Sequence, residues 1–404
     1  MTSSKLPARS TMRAALIGAF ALMFAAPLAA ADMPGVTETE IRIGNTTAYS
    51  GPASAYGTIA KTEQAYFDKV NAEGGINGRK IVFISYDDAY SPPKTVERTR
   101  ELVERDEVLA VFQTLGTPAN TAIHKYLNAR EVPQLFASSG AKAFTNPEEY
   151  PWTFGWNPTL EDEGTIYGRY ILQEHSDATV AVLYQNDDYG REVLEGLRIG
   201  LGDKADEMIV ATASYETSDP TVDSQVVTLK NSGATVFVNI ATNKAAAQAI
   251  RKAHEIDWKP VQLLNSVANS VAAVMKPAGT EASEGIISAA YIKDPTDPTW
   301  ADAPDMKEWN AFMDEYFPDG DKNSILTAYG YAAAHTLVKV LEQAGDDLSR
   351  ENVIRQAANL KDYVPPMLLP GVSVTTSPDD YGVIENMQLM RFNGERWELF
   401  GDLY

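Results

Sequence analysis

The stretch IRIGNTTAYSGPASAYG, Ile41 to Gly57, joins an apolar strand-like run to a helical pattern that continues as TIAKTEQAYF. Residues 45–57 between them are hydroxyls, glycine, proline and two tyrosines. A connection of about 2–6 residues would take a strand into its helix, and a long one in a compact domain is a candidate binding loop. We read this one as a wall of a ligand site.

The same alternation continues outward. Residues 81–88 (IVFISYDD) predict a strand, 93–107 a helix, 108–115 a strand, 119–130 a helix and 133–137 a strand. After 152–156 and a helix over 161–173, a second series begins. Strands at 179–184, 208–214, 235–240 and 260–264 alternate with helices at 191–201, 222–231, 245–256 and 270–275. The strands are continuous Val/Ile/Leu/Phe runs, so both faces are covered, as in a parallel sheet between helices. Two series imply two doubly wound, Rossmann-like lobes. The stretch KDPTDPTWADAPD interrupts the second series and precedes helices at 306–316 and 325–343, the latter stopped by Gly345. From Met367 the texture changes; VSVTT and ENMQLMRFNGERWELF predict short antiparallel strands, with Asn393-Gly394 at a hairpin turn.

Lys5, Arg9 and Arg13 precede an apolar run over 14–28 and the small residues Ala29-Ala30-Ala31. This predicts a signal peptide over 1–31, cleaved before Asp32. The remaining 373 residues suit two domains of about 150–200 residues each. The net charge of −21 becomes −24 without the leader's three basic residues, which disfavours nucleic acid as a partner. There is no cysteine, hence no disulfide, no thiol chemistry and no lipid acceptor at the mature N-terminus. An exported, unlipidated chain is expected in the periplasm, as a monomer.

In open α/β sheets ligands sit beyond the carboxyl ends of the strands. The corners there are 45–57, Leu115-Gly116-Thr117-Pro118, Ala137-Ser138-Ser139-Gly140, the run 185–190 (QNDDYG), 240–243 (IATN) and 265–269 (NSVAN). Corners bearing Thr117, Ser138, Ser139 and Gly140 put free N–H groups and hydroxyls at helix starts, which suits a carboxylate; they also suit plain helix capping. Tyr56 and Tyr189 each precede a glycine at a helix start and are candidate enclosing aromatics, whereas Tyr49 suits packing. The four histidines, His124, His175, His254 and His335, fall on or at the end of predicted helices without a ligating partner, so no metal is expected. No nucleophile elbow, P-loop or dinucleotide fingerprint occurs, and the pair Asp87-Asp88 reads as capping rather than catalysis. Neither catalytic residues nor a cofactor are expected.

The sequence resembles the periplasmic solute-binding proteins of the branched-chain (hydrophobic) amino-acid ABC importers, which have the type I fold. The stretches carrying the resemblance are IRIGNTTAYSGPASAYG, NAEGGINGRKIVFISYDDAYSPPKTVERTRELV, VPQLFASSGA, VLYQNDDYGREVLEGL and TAYGYAAAHTLVKVLEQAG. The resemblance implies two lobes joined by three hinge crossovers, near Trp156, Tyr291 and Pro365, with the ligand in the cleft and an inner-membrane ABC permease as partner. One lobe would comprise 32–155 plus 292–364, the other 156–291 plus 365–404. It further implies Tyr56 as a lid residue, Thr117 beside Leu115 as the carboxylate hydroxyl, and Ser138 and Gly140, flanking Ser139, as the carboxylate and amino corner. Tyr189 would be the second lobe's aromatic clamp. Thr242 falls where many members carry an aromatic residue, and Asn265 where amino-acid binders carry a glutamate for the ammonium group. An unpaired buried ammonium costs about 3–5 kcal/mol, so a small carboxylate without a free amino group is expected, an aromatic acid first. Branched-chain amino acids remain the second reading if Asp187 or Asp188 supplies the charge. A sensor for a membrane receptor would use the same binding module, and an enzyme would need a reactive titratable group in the cleft.

Overall fold

The structure is a computed structural model describing residues 1–4 and 33–404; apart from 1–4, the expected signal peptide and its cleavage site lie outside the described residues. Strands β1 (Glu40–Thr47), β2 (Lys80–Asp87), β3 (Ala110–Phe112), β4 (Gln134–Ala137) and β5 (Thr153–Gly155) form one parallel sheet in the order β2-β1-β3-β4-β5. Helices α1 (Gly57–Ala72), α2 (Pro92–Glu104) and α3 (Thr117–Ala129) make its first three connections. Strands β6 (Val180–Gln185), β7 (Ile209–Tyr215), β8 (Val236–Ile240), β9 (Val261–Leu264) and β10 (Ile287–Ala290) repeat that order as β7-β6-β8-β9-β10. Beyond β10 the antiparallel strands β11 (Gln388–Phe392) and β12 (Trp397–Leu403) complete the second sheet. Every residue of β4, β8 and β10 is buried, so these strands are covered on both faces. Each sheet reverses its winding between its first and third strands, so the fold has two switch points where a crevice opens.

Helix α4 (Leu160–Glu174) packs along α5 (Asp188–Leu201) on the second sheet. The short α6 (Ala205–Met208), α7 (Asp223–Asn231), α8 (Asn243–Glu255), α9 (Lys276–Ala278) and α10 (Thr280–Ser283) follow in that lobe. Helices α11 (Pro304–Tyr316) and α12 (Ile325–Ala344) return to pack against α1, and α13 (Arg350–Ala357) docks on α12. The Arg350 guanidinium donates to the Val108 and Leu109 carbonyls at 2.8 and 2.9 Å, fixing α13 to the first lobe. The chain thus passes between the sheets three times. The second passage is braced by the loop over 367–369: Lys293 N–H donates to the Met367 carbonyl (2.7 Å), Leu369 N–H to the Tyr291 carbonyl (2.9 Å), and the Lys293 ammonium pairs with Asp305.

The predicted order of strands and helices agrees with the structure, and the hairpin turn falls at Asn393-Gly394, where Gly394 has φ of +94°. Two expectations differ. The stretch 372–376 (VSVTT) forms no ladder; Val374 makes only an isolated bridge to Tyr363, and Thr376 is tied to Leu360 and Ala357. Tyr381 stacks on Phe154 of β5 with ring centroids 3.7 Å apart. The tail therefore stays on the first lobe past Pro365 and joins the second sheet at β11, because side-chain hydrogen bonds and an aromatic stack hold it there. Second, α13 is a helix that the sequence reading left undefined.

The α4–α5 contact rests on facing small residues, GTIYG over 164–168 and GLRIG over 196–200. A Cβ at Gly196 would lie 2.1 Å from the Glu161 carbonyl oxygen, and one at Gly164 would lie 2.1 Å from that of Val193. The two backbones therefore touch, and α4 cannot move without α5. Gly196→Ala is expected to destabilise the protein by about 3 kcal/mol through overpacking, read as a lowered urea midpoint at unchanged slope.

Candidate functional site

The two switch points face each other across one cavity, walled by the loops that follow β1, β3, β4, β6, β8, β9 and β10. The enclosed space measures about 90 Å³, room for roughly six to nine water-sized groups. Among the described residues none of its lining side chains is Asp, Glu, Lys, Arg or His.

The first lobe supplies a corner of donors. Gly116, at φ +90°, caps α3 where a Cβ would meet the Tyr90 ring at 2.4 Å, so the loop can only be this tight with glycine. Thr117 opens α3, whose first N–H groups have no partner within the helix. Its hydroxyl lies 2.7 Å from that of Ser139, which also accepts the Ala141 N–H. One of the two hydroxyl protons is spent between them and the other is free for the cavity. Gly140 lines the same corner; a Cβ there would sit 1.9 Å from the Pro158 carbonyl oxygen, so the first crossover strand lies directly on it. Ser138 is bonded to the Tyr329 hydroxyl at 2.9 Å, and that hydroxyl reaches Asn157 Oδ1 at 2.7 Å. Ile59, Leu115, Leu160, Ile325 and Leu326 give this half its apolar surface.

Five tyrosines surround the space: Tyr56, Tyr90, Tyr189, Tyr291 and Tyr329. Tyr56 belongs to the first lobe, yet its hydroxyl donates to the Val267 carbonyl (2.9 Å) and accepts the Asn243 N–H (3.2 Å), both in the second. The lobes are thus latched shut through one phenol, whose pKa burial pushes well above its ordinary value. The Lys142 N–H donates to Glu192 Oε2 at 2.9 Å and makes a second bridge. Asp87 and Asp88 are turn-formers. Asp87 accepts N–H groups from Tyr49, Ser50 and Ala89, and Asp88 accepts that of Tyr90, so together they hold Ala89 and Tyr90 at φ of +53° and +59° and aim the Tyr90 ring at the cavity.

Of the residues expected from sequence, Tyr56, Leu115, Thr117, Ser138, Ser139, Gly140, Tyr189 and Thr242 line this one cavity. Asn265 does not. It is fully buried behind the wall, and its Oδ1 accepts the Tyr189 hydroxyl at 2.8 Å, so it holds the aromatic wall in place instead of facing a ligand. Tyr49 is tied to Ser85 at 2.7 Å, outside the cavity. Neither acid considered as a countercharge reaches the space: Asp187 caps α5 through the Gly190 N–H, and Asp188 is exposed. Tyr90, Asn157, Ser266, Asn269, Tyr291 and Tyr329 were not singled out from sequence. Ser266 and Asn269 fall inside a corner that was marked, and Tyr90 inside the marked YDDAYSP pattern. Tyr329 falls inside the marked stretch TAYGYAAAHTLVKVLEQAG and reaches the site from a helix far along the chain.

Close to Tyr329 lies Glu63 of α1, fully buried, with neither carboxylate oxygen hydrogen-bonded among the described residues. Burial alone raises its pKa well above the usual carboxylate range. Behind Ser266 lies Glu163 of α4, also buried; burial raises its pKa, against the hydrogen bonds it accepts from Tyr167 and from the N–H and hydroxyl of Ser266.

The sequence profile of the family described as periplasmic binding protein matches residues 40–396. A Leu/Ile/Val-binding protein homolog of Brucella suis is 26% identical over 329 residues, 78% of this chain and 82% of the relative. The fold is similar to that of a branched-chain amino acid ABC transporter protein of Thermus thermophilus, solved with bound valine; the TM-score is 0.81 at 17% identity over 91% of this chain and 97% of that one. It is also similar to that of an ABC-transporter solute-binding protein of R. palustris, solved with benzoate; the TM-score is 0.75 at 17% identity over 90% and 96%.

Two measurements test this geometry. Tyr56→Phe removes both interlobe hydrogen bonds, each worth about 1 kcal/mol net; ligand affinity is expected to fall about tenfold, and small-angle scattering of the free protein to report a larger radius of gyration. Glu63 gives a pH signature. Above the unfolded carboxylate pKa of about 4.3 the unfolded chain releases the proton that the native state retains, so Glu63 destabilises the fold increasingly as pH rises towards its native pKa. Glu63→Gln should therefore raise the urea midpoint at pH about 7 and leave it nearly unchanged at pH about 4.

Proposed function

The chain belongs to the periplasmic binding protein family, the solute-binding components of ABC transporters, and from that premise we propose that it captures a small carboxylate with an apolar or aromatic body. The bodies that close on it are taken to be the two lobes, residues 32–155 plus 292–364 and residues 156–291 plus the tail from β11 onward. The observation that carries this reading is the donor corner of Thr117, Ser139 and Gly140 in a cavity without a charged side chain. A carboxylate there would receive hydroxyl and main-chain N–H donors at the start of α3, where the helix dipole favours negative charge. The tyrosines and the apolar residues around Leu115 would cover its body. Benzoate in a neighbour of the same fold is consistent with such a ligand.

The second reading is a branched-chain amino acid. Its support is the relatives' description as Leu/Ile/Val-binding homologs and the valine held by a neighbour of the same fold. Against it stands the missing acid: a buried ammonium without a partner loses about 3–5 kcal/mol, and the side chain that occupies the glutamate's place, Asn265, sits behind Tyr189. Export through a cleaved leader, a monomeric state and delivery to an inner-membrane permease complete the proposal. Ligand sensing for a membrane receptor would be served by the same module.

A thermal-denaturation screen of the mature chain against aromatic acids and leucine, isoleucine and valine decides between the two. A true ligand at 100 times its Kd adds about 2.7 kcal/mol of stability. Aromatic acids are expected to shift the melt; a shift by the branched-chain amino acids alone would replace the first reading with the second. Thr117→Ala is expected to weaken the ligand by about tenfold, the worth of one hydrogen bond to a charge. Tyr189→Ala should weaken it comparably by opening the wall. Calorimetric titration measures both, and indifference to both substitutions would move the site elsewhere.

A further inference from the structure

The polar groups on the second lobe's side of the cavity differ in kind from those of the first. The polar side chains that line the space from that lobe include Tyr189, Thr242, Ser266, Asn269 and Tyr291. The Tyr189 hydroxyl donates to Asn265 Oδ1 at 2.8 Å. The Thr242 hydroxyl is turned inward to Gln185 Oε1 at 3.3 Å, with Tyr215 beside it at 3.2 Å. The Ser266 hydroxyl donates to Glu163 Oε2 at 2.8 Å. The Asn269 amide nitrogen donates to the Ala289 carbonyl at 3.3 Å, which fixes the amide's orientation and leaves Oδ1 as its open atom. The Tyr189, Thr242 and Ser266 protons and one Asn269 amide proton point away from the cavity and leave oxygen lone pairs towards it, while Tyr291 stands at the hinge between the lobes. Tyr56, which crosses from the first lobe, has likewise given its proton to Val267.

Glu163 enforces this polarity at Ser266. Its Oε1 accepts both the Ser266 N–H and the Tyr167 hydroxyl (2.7 Å), and its Oε2 takes the Ser266 proton. With three donors satisfied and no exposure to the cavity, its carboxylate is not available as a countercharge. It orients a neutral acceptor.

We infer that the second-lobe wall is a neutral hydrogen-bond acceptor subsite, built on Ser266 and Asn269, that selects carboxylates carrying a hydroxyl hydrogen on the side facing that lobe. The inference rests on the carboxylate reading of the donor corner. A neutral hydroxyl suits the subsite better than an ammonium, because neutral oxygens can satisfy a hydroxyl fully but leave a buried charge uncompensated. A ligand without the donor leaves those oxygens desolvated and unpaired, the situation in which a site discriminates hardest. Ser266 and Asn269 are specificity-determining residues in this account, and Glu163 is a positioning residue acting through Ser266.

The test is calorimetric titration of matched pairs: benzoate against para- and meta-hydroxybenzoate, and isocaproate against its alpha-hydroxy derivative. In the wild-type protein the hydroxylated member of a bound pair is expected to bind at least about tenfold tighter. Ser266→Ala should reduce that ratio to about twofold or less. Glu163→Gln presents an amide N–H to the Ser266 oxygen, turns the serine proton towards the cavity, and should reduce the ratio as well. Because the ratio is taken within one variant, a general loss of stability or affinity cancels. A ratio near one in the wild type, or a large ratio that survives both substitutions, overturns the subsite. Binding by the aliphatic pair alone overturns the aromatic reading while its own ratio still judges the subsite. Failure of every pair to bind overturns both.

Discussion

An anion leaves water only if donors replace the solvent, and on the proposed function that is the demand the cleft would meet. The donors come from the corner where α3 begins, and that corner exists because Gly116 and Gly140 carry no Cβ: one lies under the Tyr90 ring and the other against the Pro158 carbonyl. The Thr117–Ser139 hydroxyl pair is held at 2.7 Å by the ends of two neighbouring strands. Every other feature of the site is placed relative to it. Parallel strands beyond a switch point bring their following loops to one edge, and two sheets of the same strand order bring two such edges face to face. The cavity is therefore a consequence of topology before it is a consequence of side chains.

Much of this was legible in the sequence because it is local. Continuous apolar runs announce strands buried on both faces, and hydroxyl-rich corners announce the loops after them; eight of the nine expected site residues line the cavity. What escaped is non-local. Asn265 occupies a marked corner, but a corner residue points either into the cleft or back into its own lobe, and that choice was made by a tyrosine 76 residues away. Tyr329 reaches Ser138 across 191 residues of chain. The pair Asp87-Asp88 carries the same letters whether it is a catalytic dyad or a turn-former; only the left-handed backbone at Ala89 and Tyr90 shows which. The tail's late return to the second sheet depends on Thr376 and on the Tyr381–Phe154 stack, contacts that no periodicity reports.

The glycine-lined contact between α4 and α5 gives the second lobe a rigid back. That matters for the site because α4 follows the first crossover directly and bears Glu163, while α5 carries Tyr189 in its first turn. The acceptor-orienting carboxylate and the aromatic wall are thus fixed to one unit. Displacement of a few tenths of an ångström between these helices would be transmitted to Ser266 through its two hydrogen bonds to Glu163. A GxxxG pair is suited to this because close backbone approach leaves no side-chain rotamers to absorb the shift.

Closure then has to be a balance. The chain carries 55 acidic against 34 basic residues, so bringing its lobes together is opposed by like charge, softened at physiological ionic strength by screening over about 8 Å. Against this stand two bridging contacts, Tyr56 to Val267 and Asn243, and Lys142 to Glu192. Hydrogen bonds of this kind are worth about 1 kcal/mol each, enough to bias the closed form and not enough to lock it. Since a ligand's apparent affinity is reduced by the fraction of protein in the competent state, a weak latch raises affinity while leaving the cleft able to open. The second crossover supports the same balance: the Lys293–Asp305 ion pair and the two main-chain bonds brace 291–293 against the loop over 367–369. On the proposed function, opening would bend the chain at this braced hinge, and the donor and acceptor walls would separate while each keeps its internal order.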